Sequence, residues 1–257
     1  KITQPEADEL LLTLKGNGEQ HRLQISASPS LPFVYLTEEN KMAPLSAPTF
    51  CMVLRKHIAN GKITAIEQPG NERIIRFSIE HLNEMGDLCH KYLIVEIMGK
   101  HSNIIFCNED NTIIDSIKHI SPLMSSVRTV LPNHPYFIPG TQEEKAEPME
   151  ATFDSFMELI RHKPCSIAKS IYTSYIGLSP LCASEIATRA GLDADDSVAS
   201  LSEHELCHLA SHFIWFMDAV KEHAYTPVIY RNGAEPLEFY SVALTQYQDQ
   251  ECKKATS

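Results

Sequence analysis

No two cysteines in this 257-residue chain have CxxC spacing, although there are seven of them. An odd count without paired spacing excludes a disulfide scaffold and reads as free thiols in a reducing cytoplasm. No run approaches eighteen uninterrupted apolar residues, so no membrane span is expected. No signal peptide is visible either. The opening "KITQPEADELLLTLKG" starts abruptly in a strand-like pattern, as a truncated start would. Internal repeats and low-complexity runs are missing, which removes solenoid and disordered-tail readings. Nor is there an excess of basic charge. The 22 Lys and Arg face 33 Asp and Glu, a net charge of −11. That balance argues against a generic polyanion binder. It still permits a local basic face within residues 51–130, where nine basic residues meet nine acidic ones and five histidines.

What is present is enough apolar residue, 43%, to bury a proper core. The first half reads as β. Short apolar or alternating runs recur: "DELLLTL", "HRLQISAS", "FVYLT", "KITAIEQ", "RIIRFSIEH", "KYLIVEIMG", "NIIFCN" and "TIIDSIKHI". Turn residues separate them, as in "KGNGEQ", "QPGNE" and "CNEDN". About eight such strands predict an antiparallel sandwich or barrel. One helix interrupts, with Ser46 placed to cap it, Pro48 in its first turn and Gly61 at its end. Phe50, Val53, Leu54, His57 and Ile58 share its apolar face, while Arg55 and Lys56 form an exposed basic edge.

The stretch "GTQEEKAEPME" is charged and lacks periodicity, so residues 141–150 read as a linker or exposed loop. Residues 151–225 are expected to be helical. Residues 226–257 are expected to hold two closing strands, "TPVIYR" and "EFYSVAL", and a polar tail. Within the helical part, "SIYTSYIGLSPLCASEI" has the grammar of a helix-hairpin-helix, with Gly177 and Ser179 in the turn and Pro180 opening the next helix. Such a turn can aim backbone N–H groups at a phosphate. An ordinary structural αα-hairpin is the competing reading.

"SEHELCHLASH" contains HELCH, a match to the zinc-protease signature H-E-x-x-H. Its context speaks against a protease. Ser202 and Glu205 form S-x-x-E just before an apolar periodic run, the pattern of a capping box. That use would commit the glutamate to the helix end. Leu206, Leu209, Phe213, Phe216 and Val220 make the buried stripe, with His204, His208 and His212 on a neighbouring flank. No third ligand is marked, so neither a metal nor a cofactor is expected.

Four stretches together resemble the NFACT-N domain, the N-terminal part of the bacterial fibronectin-binding protein A / RqcH family. They are "PTFCMVLRKHIANGKITAIEQPGNERI", "YLIVEIMGKHSNIIF", "NTIIDSIKHISP" and "RTVLPNHPYFIP". The hairpin "IGLSPLCASEI" and the closing "TPVIYRNG…EFYSVALT" also fit, so the resemblance covers essentially the whole chain. It implies an α+β fold. Residues 1–140 would form a β-rich core like the formamidopyrimidine-DNA glycosylase N-terminal domain, and a helix-hairpin-helix module would follow.

The resemblance implies a cytoplasmic factor of ribosome-associated quality control, not an enzyme. Such a factor binds tRNA, alanyl-tRNA in bacterial members, and the stalled large ribosomal subunit with its peptidyl-tRNA. The nascent chain then receives an untemplated alanine tail by ribosomal peptide transfer. The family's tRNA-contacting Asp-Arg pair matches Glu72 and Arg73, with an acid one methylene longer. Lys100 and His101, in the turn of "EIMGKHSNIIF", are further RNA-facing candidates, as are Arg55 and Lys56. In that turn Ser102 and Asn103 could simply satisfy backbone groups. Binding fibronectin as a surface adhesin is the alternative function, and a zinc metalloprotease the remote one.

Overall fold

A computed structural model describes residues 1–138, 144–248 and 250–254. The chain separates into two compact units, Lys1–Gly140 and Thr141–Ser257. In the first, β1 (Ile2–Thr3), β2 (Glu9–Gly16), β3 (Glu19–Ser26) and β4 (Phe33–Thr37) form a four-stranded antiparallel sheet in that order. Asn17 and Gly18, at φ 50° and 83°, close the β2–β3 hairpin. Two positive φ values in a two-residue loop match the right-handed strand twist, which is why an Asn-Gly pair stands there. β5 (Lys62–Glu67), β6 (Ile74–Leu82), β7 (Leu88–Glu96), β8 (Asn103–Asn108) and β9 (Ile113–Ser116) form a five-stranded antiparallel meander.

The middle of the five-stranded sheet is buried on both faces, whereas its edge strand β5 is largely exposed. Phe77, Ile79, Leu93, Val95, Ile104 and Phe106 share a core with Leu10, Leu12, Leu23 and Ile25 of the other sheet. Ile74, Ile94, Ile105 and Cys107 point the opposite way and pack with Val130, Tyr136 and Ile138. Residues 117–138 thus form an arm over the second face, pinned by the bridges Ile120–Val130 and Thr112–Pro135. Two-sided burial explains why "LIV", Leu93 to Val95, is apolar at every position instead of alternating.

Helix α1 (Thr49–Ile58) joins the shared core through Phe50, Cys51, Leu54 and Ile58, with Val53 and His57 half-buried. Its start differs from the expectation. Pro48 occupies the cap position, no side chain caps the helix, and Ser46 lies outside it. At its far end Asn60 takes the left-handed conformation, φ 66°, and the Gly61 amide bonds back to Ile58. Gly61 is needed for close approach rather than for a positive φ. A Cβ there would meet Ile79 Cγ2 at 2.9 Å and the Glu80 carbonyl at 3.0 Å.

The second unit holds α2 (Phe153–Ile160), α3 (Ile167–Ser174), α4 (Pro180–Arg189) and α5 (Glu203–Lys221). Phe156, Ile171, Tyr175, Ile186, Leu209 and Phe213 form its core. Leu206, Leu209, Phe213 and Phe216 of α5 are buried, whereas Val220 is half-buried and Met217 joins the buried stripe. A three-stranded antiparallel sheet follows, in the order β11 (Glu235–Tyr240), β10 (Val228–Asn232), β12 (Glu251–Lys254). The expected polar tail therefore contributes a strand.

Residues 141–143 of the expected linker lie outside the described residues. The rest is tied down: the Ala146 amide bonds to Ser174, the Ile176 amide to Ala146, and Pro148 is buried. Among the described residues no helix is long and apolar enough to cross a membrane.

Candidate nucleic-acid interface

Arg73 stands in the turn just before β6 and is exposed. Its guanidinium makes no hydrogen bond or ion pair among the described residues. Its backbone is fixed from two sides. The Arg73 carbonyl accepts from the Ile97 amide at 2.8 Å, and the neighbouring Glu72 carbonyl accepts from Gln68 Nε2 at 2.8 Å. The Glu72 amide closes a turn onto Pro69. No ion pair joins Glu72 to Arg73, so the acid does not hold the guanidinium.

The bond to Ile97 places Arg73 beside the β7–β8 connection. There Gly99–His101 forms a single 3-10 turn, with Gly99 at φ 57°, a left-handed conformation that suits glycine. Lys100 and His101 are exposed at the same sheet end as Arg73. Ser102 and Asn103 satisfy the turn instead of facing outward. Ser102 Oγ accepts from the Met98 amide at 2.9 Å. Asn103 Oδ1 accepts from the Ile104 and Lys118 amides, and its Nδ2 donates to the Lys118 carbonyl. Lys118 Nζ ties the turn to the first sheet, donating to the carbonyls of Ala27 and Ser102.

Beneath this turn, fully buried Glu96 is gripped by Arg128 at both oxygens, with one contact at 2.7 Å. Tyr136 donates a third hydrogen bond to Glu96 at 3.1 Å. Burial pushes the Tyr136 hydroxyl upward, and the Glu96 charge adds to the shift. Burial alone would lower Arg128; its bond and attraction to Glu96 outweigh that and hold it above its ordinary value. An uncompensated charge here would be costly, so the pair locks the 117–138 arm to the sheet that carries Arg73. Arg128 and Tyr136 were absent from the candidates read in sequence. "RTVLPNHPYFIP" carried the signal, since an arginine and a tyrosine in an apolar stretch need a buried partner.

Arg55 and Lys56 do not join this place. Arg55 Nε donates to the Ile2 carbonyl at 2.8 Å, although the residue is exposed. His57 sits beside Phe106, ring centroids 5.9 Å apart. Burial first, then Lys91, Lys56 and His81, lower its pKa. This corner lies near Lys91, five residues along β7 from Glu96, roughly 17 Å at strand spacing. The first-unit candidates therefore occupy two separate places.

In the second unit, Gly177 takes φ 73° between α3 and α4, and Pro180 is the first residue of α4. Ser179 Oγ caps the helix by accepting from the Cys182 amide at 3.1 Å. The Ala183 amide bonds to the Ser179 carbonyl, and Pro180 has no N–H. Across this turn and the start of α4 the amides of Gly177, Leu178, Ser179 and Leu181 make no hydrogen bond among the described residues. Amides of this kind beside a helix start are the donors a phosphate would need.

HELCH is a helix start. Ser202 Oγ accepts from the Glu205 amide at 3.3 Å, and Glu205 Oε2 accepts from the Ser202 amide at 2.8 Å. The bonds from Ser202 hold the Glu205 carboxyl below its usual range. His208 Nδ1 donates to the Ala190 carbonyl at 3.1 Å. Among the described residues no three His, Cys, Asp or Glu side chains gather to hold a metal ion.

A family model described as the NFACT N-terminal and middle domains matches residues 1–257, and the chain belongs to that family. The Rqc2 homolog RqcH of Bacillus subtilis is 40% identical over 247 residues, 95% of this chain and 41% of that protein. The archaeal Rqc2 homolog aRqcH of Methanocaldococcus jannaschii is 28% identical over 179 residues, 68% of this chain and 25% of its own length. The chain thus spans less than half the length of these relatives. Among solved structures, the fibrinogen binding protein from Staphylococcus aureus superposes with a TM-score of 0.83 at 31% identity, over 100% of this chain and 87% of its own. The N-terminal part of the fibronectin/fibrinogen-binding protein from Streptococcus suis gives 0.76 at 30% identity, over 95% and 82%.

Proposed function

We propose that this chain is the part of a cytoplasmic ribosome-associated quality-control factor that engages tRNA, acting by binding and positioning rather than as an enzyme. Kinship with Rqc2 homologs supports the process. The observation that carries the site is local: Arg73 is exposed with an unengaged guanidinium, beside Lys100 and His101, on a rigid frame. A planar guanidinium with fixed backbone suits a bidentate contact to phosphate or a base edge. In the whole factor this contact would help hold charged tRNA, alanyl-tRNA, on a stalled large subunit carrying peptidyl-tRNA. The chain's acidic balance keeps isolated affinity weak, because phosphate neutralisation dominates such binding. Alanine-tail formation on stalled large subunits tests the reading, using the full-length parent with Arg73→Ala and parallel melts. Loss of tailing with an unchanged melt is expected. Full tailing with normal tRNA crosslinking would remove Arg73 from the site.

A second reading, binding of fibronectin, is favoured by the name of one structural neighbour, the fibronectin/fibrinogen-binding protein from Streptococcus suis. Binding of this chain to immobilised fibronectin tests it.

A further inference from the structure

Trp215 is the chain's one tryptophan, and it stands 61% exposed on α5. A large aromatic ring left in water invites a partner. The ring borders an open groove of about 420 Å³ within the second unit. His212 meets Trp215 edge-on, centroids 5.0 Å apart, and limits how it can turn. Across the groove the Arg189 guanidinium lies over the Phe216 ring at 5.1 Å. Its charge is already balanced: Arg189 Nε donates to the buried Glu185 carboxylate at 2.7 Å.

Among the described residues the walls carry no acid and no unbalanced cation, and they include the last turn of α4. A helix C-terminus disfavours phosphate. The polar groups suit a flat ligand with hydrogen-bonding edges. Thr188 and Thr245 both donate their hydroxyl protons inward, to the Ser184 carbonyl and to Glu185, so each presents an acceptor to the groove. Gln248 adds an amide with no side-chain bond among the described residues.

We propose that this groove binds an unpaired nucleobase of RNA, stacked on Trp215, with preference for bases bearing an exocyclic amino group. The threonine acceptors favour adenine and cytosine over uracil. The inference rests on the RNA-binding reading above and adds a second contact that works by stacking rather than by charge.

Trp215 fluorescence reports this groove alone. The 257-residue chain is titrated with short oligo(A), oligo(C), oligo(U) and an abasic oligomer of equal charge. Oligo(A) and oligo(C) should quench to saturation, oligo(U) less, and the abasic oligomer not at all. With labelled oligo(A), Trp215→Ala should lose roughly tenfold in affinity while Trp215→Phe keeps most of it. Equal quenching by the abasic oligomer, or unchanged affinity in Trp215→Ala, overturns the proposal. Arg73→Ala separates the two sites. Quenching that persists in this variant leaves the groove standing whether or not tRNA crosslinking falls, and crosslinking that falls without any quenching leaves Arg73 standing alone.

Discussion

Glu96 and Arg128, 32 residues apart, meet as a buried two-point ion pair, with exposures of 0% and 8%. One comes from the end of a central strand, the other from the arm that covers the sheet. Their union gives the exposed turn at Gly99–His101 a fixed base.

Breaking that pair from one side should be severe. Arg128→Ala leaves a buried carboxylate with Tyr136 as its one remaining side-chain partner among the described residues. A loss of about 3–5 kcal/mol is expected in urea unfolding. Replacing both partners by apolar residues of similar size should cost far less than the single change. A single variant within about 0.5 kcal/mol of the parent would show that the pair does not hold the arm.

Much of this architecture was legible in the chain. Strand runs, the Asn17–Gly18 hairpin and the Ser202–Glu205 box are local patterns that local physics decides. What escaped was non-local. Nothing near Glu96 in sequence announces Arg128, and nothing in "ECKK" announces a strand, because β12 pairs through its backbone and all four side chains are exposed. Ser46 failed as a cap because the helix starts at Thr49, after Pro48. The separation of Arg55 and Lys56 from Arg73 was hidden for the same reason: it depends on which end of β7 each element reaches.

Two glycines should fail for different reasons. Gly177→Val meets a φ of 73°, a strained conformation for a branched residue, and should cost on the order of 1–3 kcal/mol. Gly61→Ala meets a crowded space: of the three atoms nearest its new methyl, two are backbone oxygens. A cost of about 1–3 kcal/mol is expected there as well. Thermal melts of both variants decide, and an unchanged melt for either would show that its turn relaxes freely.

The HELCH helix should behave as a capped helix. Ser202→Ala should destabilise by about 1 kcal/mol, because the Glu205 amide loses its acceptor. Elemental analysis of protein purified without added metal should find no stoichiometric zinc. One zinc per chain, lost in His208→Ala, would restore the metalloprotease reading.

Salt dependence isolates the role of Arg73. If its guanidinium neutralises one phosphate, Arg73→Gln should lower the slope of log K against log salt by about 1 for tRNA binding. Arg55→Gln should change the slope less, since Arg55 Nε is already held by the Ile2 carbonyl. Equal changes in both variants would indicate a diffuse basic surface instead of a defined contact.

His57 sets a pH dependence of stability. Burial against Phe106, with Lys91, Lys56 and His81 nearby, lowers its pKa in the fold, and Glu84 opposes the shift weakly. The unfolded chain therefore binds a proton more readily than the folded one. Stability from this group is complete above the ordinary imidazole pKa and is lost as pH falls through the lower folded value. Melting temperature should decline between about pH 7 and pH 5. His57→Phe, which keeps a ring beside Phe106 but cannot charge, should flatten that decline. The comparison is the difference between the two melting curves at each pH, which cancels titrations common to both proteins. A parallel decline in parent and variant would mean that His57 charges without penalty and that other groups set the acid limit.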